Sequence, residues 1–404
     1  MGYVELAYTP GEDDLICTFR VKTHDLRRAA EAVAAESSIG TWTDVMTMKE
    51  EIRERLRARV FEIRDDVIKV AYPGELFEKG NIPQILSSIA GNIFGMREVE
   101  GLRLEDVEIP HSIALSFFGP AFGIDGVREK LKIEERPLVG TIVKPKVGLS
   151  PEEHAEVVYR ALRGGCDLVK DDENLTSQDF NPFEKRLKLS LDAVKRAEDE
   201  TGEEKGYLPN ITAETQEMLR RAELVKELGG KFIMVDVVTC GFSGLQTLRK
   251  HDFGMIIHAH RAMHAAFTRK KDHGISMLVL AKFLRMCGVD QLHIGTVVGK
   301  MEGEKEDILR IRDAITGEFY GIKPVFPVAS GGLHPGHIPA LYSIFGKDVI
   351  LQFGGGIHGH PDGTEEGARA VREALSMVLE GKSLDNPPPA LKKAIEKWGI
   401  SETL

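Results

Sequence analysis

Between residues 14 and 110 the apolar positions follow two different spacings. Leu15–Val21 (LICTFRV) and Val67–Ala71 (VIKVA) are short apolar-rich runs that predict strands. Asp25–Ala35 and Lys49–Arg59 place their apolar residues at helical spacing and predict amphipathic helices. Strands mixed with helices in this way predict a small α+β domain. Pro110 and the loop-like FFGPAFG (117–123) mark its end.

From about residue 138 the rhythm changes. Eight β-rich runs follow one another: VGTIVK (139–144), CDLVK (166–170), GYLPNIT (206–212), KFIMVDVV (231–238), GMIIHAH (254–260), DQLHIGT (290–296), VFPVASGG (325–332) and VILQFGGG (349–356). Helical patterns separate most of them, at Pro151–Arg163, Asp192–Thr201, Thr215–Leu228 and Gly274–Cys287. Eight β–α steps predict a (β/α)8 TIM barrel. The rival, a doubly wound sheet, would carry its glycine-rich loop after the first strand, whereas here the glycines come last. The expected division is therefore an N-terminal α+β domain over 1–125 and a barrel over 126–404. The Pro387-Pro388-Pro389 run reads as a turn into a last helix.

Charge and composition narrow the function. A formal net charge of −10 argues against a nucleic-acid partner, which would need a basic face. The four cysteines, Cys17, Cys166, Cys240 and Cys287, show no CxxC spacing, so they read as small apolar fillers in a reducing compartment. The acidic start MGYVELAYTPGEDD lacks the apolar stretch of a signal peptide, and no run of eighteen apolar residues exists. A cytoplasmic protein with no membrane partner is expected.

In a barrel enzyme the chemistry sits at the C-terminal ends of the strands. Polar residues gather at these ends: Lys144 and Lys146 after the first strand, Lys170-Asp171-Asp172-Glu173 after the second, His258, His260, Arg261 and His264 after the fifth, His293 and Lys300 after the sixth, Ser330-Gly331-Gly332 after the seventh, Gly354-Gly355-Gly356 after the eighth. Singly, each has a plain reading as a solvated turn, a core histidine or a tight bend. Together they converge on one rim.

Lys170 and Asp172 share a face because residues two apart on a strand point the same way, and Glu173 can swing to the same point. Two carboxylates suit a hard cation such as Mg2+. An ammonium beside them fits only if the amine loses its proton and becomes carboxylate-like, a change open to a desolvated lysine. The glycines after strands seven and eight suit phosphate, held by backbone N–H groups that only a side-chain-free loop brings close. Arg261, Lys144, Lys146 and Lys300 offer positive charge, and the glycines flanking Lys300 in GTVVGKMEGE (295–304) suit a closing loop.

Six rim motifs, in order, resemble those of the ribulose-bisphosphate carboxylase large chain: GTIVKPKVGLSPEE, GGCDLVKDDENLTSQ, HAHRAMHAAFTR, LHIGTVVGKMEGE, PVASGGLHPGH and LQFGGGIHGHPDG. AAESSIGTWTDV (34–45) and AGNIFGMREVEGLRLEDVEIP (90–110) resemble its N-terminal motifs. The resemblance covers nearly the whole chain from about residue 15. It implies a carboxylase/oxygenase acting on ribulose-1,5-bisphosphate with CO2 or O2, and it assigns roles position by position. Lys170 is matched to the lysine that CO2 converts to a carbamate, and with Asp172 and Glu173 it would hold Mg2+. Lys144 is matched to the acid–base residue at the substrate carbons, supported by Lys146, and His260 to a second proton-transfer residue. Arg261, His293 and Ser330 are matched to substrate contacts. Gly331, Gly332, Gln352, Gly354 and Gly355 are matched to the phosphate loops, and Lys300 to the mobile-loop lysine that steadies CO2. Glu36, Thr41, Trp42 and Asn92 are matched to residues that a second subunit lends to the site.

The chain also departs from the plant-type pattern. Ile39 and Ile142 stand where plant-type chains carry threonine, so the contact made by the second of these is not carried over. GISMLVLAK and EEGARAVREAL resemble the archaeal form III branch, which implies homodimers or rings of dimers without small subunits. Two rival classes fit the residues less well. A carboxylase-like enolase or isomerase acting on another sugar phosphate would have replaced several substrate contacts, and nearly all are kept. An idle binding protein has no use for a complete lysine–carboxylate set.

Overall fold

The computed structural model describes residues 2–298 and 305–401. The strands of this region are, in chain order, β1 Asp14–Lys22, β2 Arg59–Arg64, β3 Val67–Pro73, β4 Gly101–Glu108, β5 Leu138–Ile142, β6 Leu168–Lys170, β7 Gly206–Leu208, β8 Phe232–Asp236, β9 Ile256–His260, β10 Gly274–Ile275, β11 Gln291–His293, β12 Phe326–Ser330 and β13 Ile350–Phe353. They fall into two compact units. The first joins Met1–Gly119 with Met263–Cys287 and Glu318–Ile322; the second holds Pro120–Ala262, Gly288–Gly317 and Lys323–Leu404.

The first unit is built on a five-stranded sheet in the order β10-β4-β1-β3-β2. Its long strand β1 pairs antiparallel with both β3 and β4. Leu15, Cys17, Phe19 and Val21 alternate inward and are all buried. Each of the larger ones contributes about 1.5–3 kcal/mol by leaving water. The helix Leu26–Glu36 starts where the Asp25 side chain accepts the Arg28 N–H, and it buries Ala29, Ala30, Val33 and Ala34. The second predicted helix is shorter than its apolar pattern, Glu50–Leu56.

The predicted helix over Gly274–Cys287 needs correction at its start. Gly274, at φ +118°, and Ile275 form β10, which pairs parallel with β4, and the helix begins at Met277. This segment joins the first unit through polar bonds. Ser276 Oγ donates to Glu105 O at 2.7 Å, Lys282 Nζ donates to Val107 O at 2.8 Å, and Arg103 donates to Thr268 O at 3.0 Å.

The second unit contains an all-parallel eight-stranded sheet in the order β7-β6-β5-β13-β12-β11-β9-β8. Its two end strands meet. Met234 N–H donates to Pro209 O at 2.9 Å, and Ile211 N–H donates to Met234 O at 3.0 Å. That seam closes a (β/α)8 barrel, as the β–α rhythm predicts. Leu138, Leu168, Phe232, Ile256, Phe326 and Ile350 open their strands and pack with Ile124, Val127 and Leu131 of the helix Gly123–Leu131. The N-terminal mouth is therefore filled with apolar side chains, which leaves the C-terminal rim for polar groups.

Two barrel helices exceed their sequence patterns. Phe183–Thr201 begins well before Asp192, and Val237–His251 follows β8, where no helix is predicted. Gly241, at φ 82°, kinks the latter and interrupts its apolar periodicity. Pro151–Gly164 opens on a Ser150/Glu153 capping box, and Pro389–Trp398 follows the proline run.

Candidate active site

The rim cluster grows out of the end of β6. Lys170 is its last residue and is fully buried. The chain then alternates. Asp171 turns away from the rim into a buried network: Arg186 Nε donates to it at 3.2 Å, Tyr207 O–H at 2.5 Å and the Asn210 backbone N–H at 2.9 Å. His154 Nε2 lies 3.0 Å from its Oδ1 but without hydrogen-bond alignment. Burial alone would raise the Asp171 carboxyl, but the Arg186 charge and its other partners hold it well below the usual range.

Asp172 faces the opposite way, as the strand period requires, and Lys144 Nζ donates to its Oδ2 at 2.9 Å. Glu173 Oε2 lies 3.5 Å from Lys170 Nζ and 3.6 Å from His260 Nε2. Lys144, Lys170, Asp172, Glu173 and His260 therefore form one cluster drawn from β5, β6 and β9.

Electrostatics set its chemistry. Burial lowers the Lys170 ammonium below its ordinary value, against the pull of Glu173, Asp172 and Asp236. Asp172 and Glu173 stay below the carboxylate range despite burial, Asp172 mainly through the Lys144 hydrogen bond and Glu173 mainly through the Lys170 charge. Among the described residues no three His, Cys, Asp or Glu side chains converge as a ready metal group. The set fits a hard cation once Lys170 supplies the third oxygen donor as a carbamate, a reaction open only to a neutral amine. The lowered Lys170 favours that neutral form.

A histidine relay borders the cluster. His258 Nδ1 meets Gln291 Oε1 at 2.7 Å, His258 Nε2 meets His293 Nε2 at 2.8 Å, and His293 Nδ1 meets Ser330 Oγ at 2.9 Å. With Gln291 Oε1 accepting, His258 carries its proton on Nδ1, His293 on Nε2, and Ser330 donates its hydroxyl proton to His293. Burial lowers His258 to about 3 and puts His293 well below its ordinary value, so both rings are neutral. The Ala262 backbone N–H donates to His260 Nδ1 at 3.2 Å, which leaves the His260 proton on Nε2, toward Glu173. Arg261 keeps some open surface, yet protein surrounds its guanidinium and lost hydration lowers it to about 10. It packs over Gly295, where an added Cβ would lie 2.8 Å from it.

The glycine loops complete the rim. β12 and β13 are neighbours, with Ser330 opposite Gln352, and β13 lies beside β5. Gly331 and Gly332 have φ of +121° and +67°, which only glycine adopts without strain. A Cβ on Gly354 would lie 3.5 Å from Lys144 Cε, so the last loop borders the lysine cluster. Gln352 is buried on β13 with its amide against Gly140 of β5, and that amide has no hydrogen-bond partner.

Other expected residues stand apart. Lys146 is exposed after β5. Glu36, Thr41, Trp42 and Asn92 belong to the first unit; Asn92 Nδ2 reaches Glu36 Oε1 at 3.4 Å, and Trp42 is 91% exposed. His264 also lies in the first unit, bonded to Thr268. Lys300 lies outside the described residues.

Three groups escaped the sequence reading. Asp236 ends β8, with Oδ1 3.5 Å from His260 Nδ1; a polar residue closing a predicted barrel strand is the signal that would have found it. Asn210 bonds the Glu173 carbonyl at 3.3 Å and Asp236 at 3.4 Å. His358 Nε2 binds the Ile142 carbonyl at 2.7 Å, tying the last loop to the first strand.

The fold and site define a class: a (β/α)8-barrel enzyme whose reactive lysines, carboxylates and histidines converge on the C-terminal rim. Family models for the ribulose bisphosphate carboxylase large chain match residues 2–113 (N-terminal domain) and 123–398 (catalytic domain). The ribulose bisphosphate carboxylase of Methanocaldococcus jannaschii is 53% identical, over 98% of this chain and 100% of its own length. An octameric enzyme from Pyrococcus horikoshii, solved with sulfate, superposes with a TM-score of 0.95 at 48% identity, covering 99% of this chain and 97% of that one. A dimeric archaeal enzyme from Hyperthermus butylicus gives 0.93 at 47%, covering 99% of both chains. The chain belongs to the ribulose bisphosphate carboxylase large-chain family.

Proposed function

We propose that the chain is a ribulose-1,5-bisphosphate carboxylase/oxygenase. The observation that carries the site assignment is the meeting of Lys144, buried Lys170, Asp172, Glu173 and His260 within hydrogen-bond or ion-pair reach. Mg2+ held by carbamylated Lys170, Asp172 and Glu173 would act as a Lewis acid toward the substrate oxygens. Lys144 removes and returns protons at the reacting carbons, with Lys146 supporting its charge. His260 donates from Nε2. His293 and Ser330 hold substrate hydroxyls through the neutral relay, and Arg261 takes a phosphate. Gly331, Gly332, Gly354 and Gly355 offer backbone N–H groups to the other phosphate, beside Gln352. Lys300 steadies the incoming CO2. Because the enediolate offers no shape that excludes O2, oxygenation competes.

The active unit we infer is a homodimer or a ring of dimers, without small subunits, in which a second chain lends Glu36, Thr41, Trp42 and Asn92. Its support is the dimeric and octameric state of the relatives and the exposed apolar surface of Trp42, Val45 and Met46. We keep the division into residues 1–125 and 126–404 as part of this reading; the family-model spans 2–113 and 123–398 support it. No helix among the described residues is long and apolar enough to cross a membrane, in keeping with the cytoplasmic placement that we propose.

The test is direct. Pure protein, preincubated with CO2 and Mg2+, is given ribulose-1,5-bisphosphate and 14C-bicarbonate without oxygen. Two molecules of 3-phosphoglycerate per substrate, one labelled, are expected. Substrate loss without labelled product would refute carboxylation.

A further inference from the structure

The helix Pro389–Trp398 touches both glycine loops of the rim, on sides that carry no catalytic group. The loops pack backbone to backbone. A Cβ on Gly356 would lie 2.0 Å from Leu333 O and 2.7 Å from His334 Cα, so their spacing depends on whatever holds them together. The Trp398 ring reaches both. It stacks on the His334 imidazole, with centroids 6.0 Å apart and planes 24° apart, and its Cζ2 lies 3.4 Å from where a Gly359 Cβ would stand. Beyond Trp398, Gly399 at φ +80° turns the chain back. Ser401 N–H then donates to Gly336 O at 3.1 Å, and a Cβ on Gly336 would lie 2.1 Å from Gly399 O. Lys397 Nζ donates to Gly359 O at 2.6 Å. His360 Nε2 bonds Ala390 O at 2.9 Å, and Lys393 pairs with Asp362 at 2.6 Å. The helix and the turn after it thus bind the loop after β12 at His334 and Gly336, and the segment after β13 at Gly359, His360 and Asp362, with Trp398 alone reaching both sides.

We infer that Trp398 is a positioning residue for the phosphate subsite: by clamping the two loops together it keeps the backbone N–H groups of Gly331, Gly332, Gly354 and Gly355 aimed at one point. The inference rests on the carboxylase reading for the identity of the phosphate ester. Trp398 itself touches no substrate. A phosphate held by several N–H groups is sensitive to their relative spacing, because a small shift of one loop lengthens half of the bonds at once. The reacting lysines and carboxylates stand on other strands, so loosening the clamp weakens binding and leaves the chemical step alone.

The experiment compares wild type, Trp398→Ala, Trp398→Phe and Ser401→Pro, the last of which deletes the N–H that binds Gly336. KM and kcat for ribulose-1,5-bisphosphate are measured, together with the dissociation constant of inorganic phosphate. Trp398→Ala is expected to raise KM and the phosphate constant together by about tenfold, the equivalent of about one hydrogen bond, with kcat within about twofold. Trp398→Phe, which keeps a ring on His334, is expected to restore most of the affinity. Ser401→Pro is expected to give a rise of about threefold. Should Trp398→Ala fail to fold, Ser401→Pro alone decides: a raised KM at constant kcat supports the clamp, and an unchanged KM overturns it. Lower thermal stability with unchanged KM and phosphate affinity overturns it too, leaving the helix a purely structural prop. Wild type without carboxylase turnover would strike the functional reading, whereas the phosphate constants would still decide the clamp.

Discussion

The two ends of the barrel handle burial in opposite ways. At the N-terminal mouth, Leu138, Phe232, Phe326 and their neighbours pack with Ile124, Val127 and Leu131 of one helix, whose Arg128 lies over the Phe326 ring and pairs with Asp348 at the edge. At the C-terminal rim, Lys170 is equally buried but lies 3.5 Å from the Glu173 carboxylate, within the field of Asp172 as well. Burial stabilises the first region. In the second it is a chemical device that weakens the lysine's hold on its proton. Asp171 and Asp172, adjacent in sequence, show the same contrast. Asp171 is held inside the scaffold by Arg186, Tyr207 and the Asn210 N–H, while Asp172 accepts from Asn174 and from Lys144, itself a member of the rim cluster. Partners, not residue type, separate scaffold from site.

The comparison breaks most sharply at Lys170. Lys170→Ala should abolish carboxylation, by more than about a thousandfold (over about 4 kcal/mol in transition-state stabilisation). The protein should stay folded, because the loss of packing is offset by removal of a buried charge that burial penalises. Radiolabel assays and thermal melts read both; near-normal turnover would sink the metal assignment. The mirror experiment is Phe232→Ala at the floor. It should cost about 3–5 kcal/mol in denaturant unfolding, with kcat nearly unchanged below the melting range. A fall in kcat at full stability would show that floor and rim are coupled.

The smallest expected effect is in pH. His258 is buried neutral, with its value lowered to about 3 against an unfolded value of about 6.5. Above about pH 6.5 both states are neutral and stability is complete. As the pH falls below that, the unfolded chain takes up a proton that the folded ring refuses, so stability declines until about pH 3. His258→Gln should make unfolding free energy less steep across this window. An identical slope in the variant would mean that His258 is protonated in the folded state.

Much of this was legible along the chain. Seven of the eight barrel strands lie within runs read from their apolar pattern, and β5 starts one residue before its run, because parallel strands buried on both faces are continuous apolar stretches. The KDDE motif gave away its alternating directions through the strand period alone. The helix Val237–His251 was hidden because Gly241 and its small neighbours erase the periodicity that marks helices. Asp236 and Asn210 were missed because neither sits in a charge-rich motif; their importance lies in what stands across from them, His260 and the Glu173 carbonyl.

By itself, the order of residues determined the barrel, its polar rim, and the family, since periodicity and motif order are local properties of a chain. Only the tertiary structure decided which groups hold Asp171 in the scaffold, that Lys170 is buried deeply enough to favour its neutral amine, and that one indole bridges two loops. Those facts depend on distances between residues far apart in sequence, and on the water that folding removes from between them.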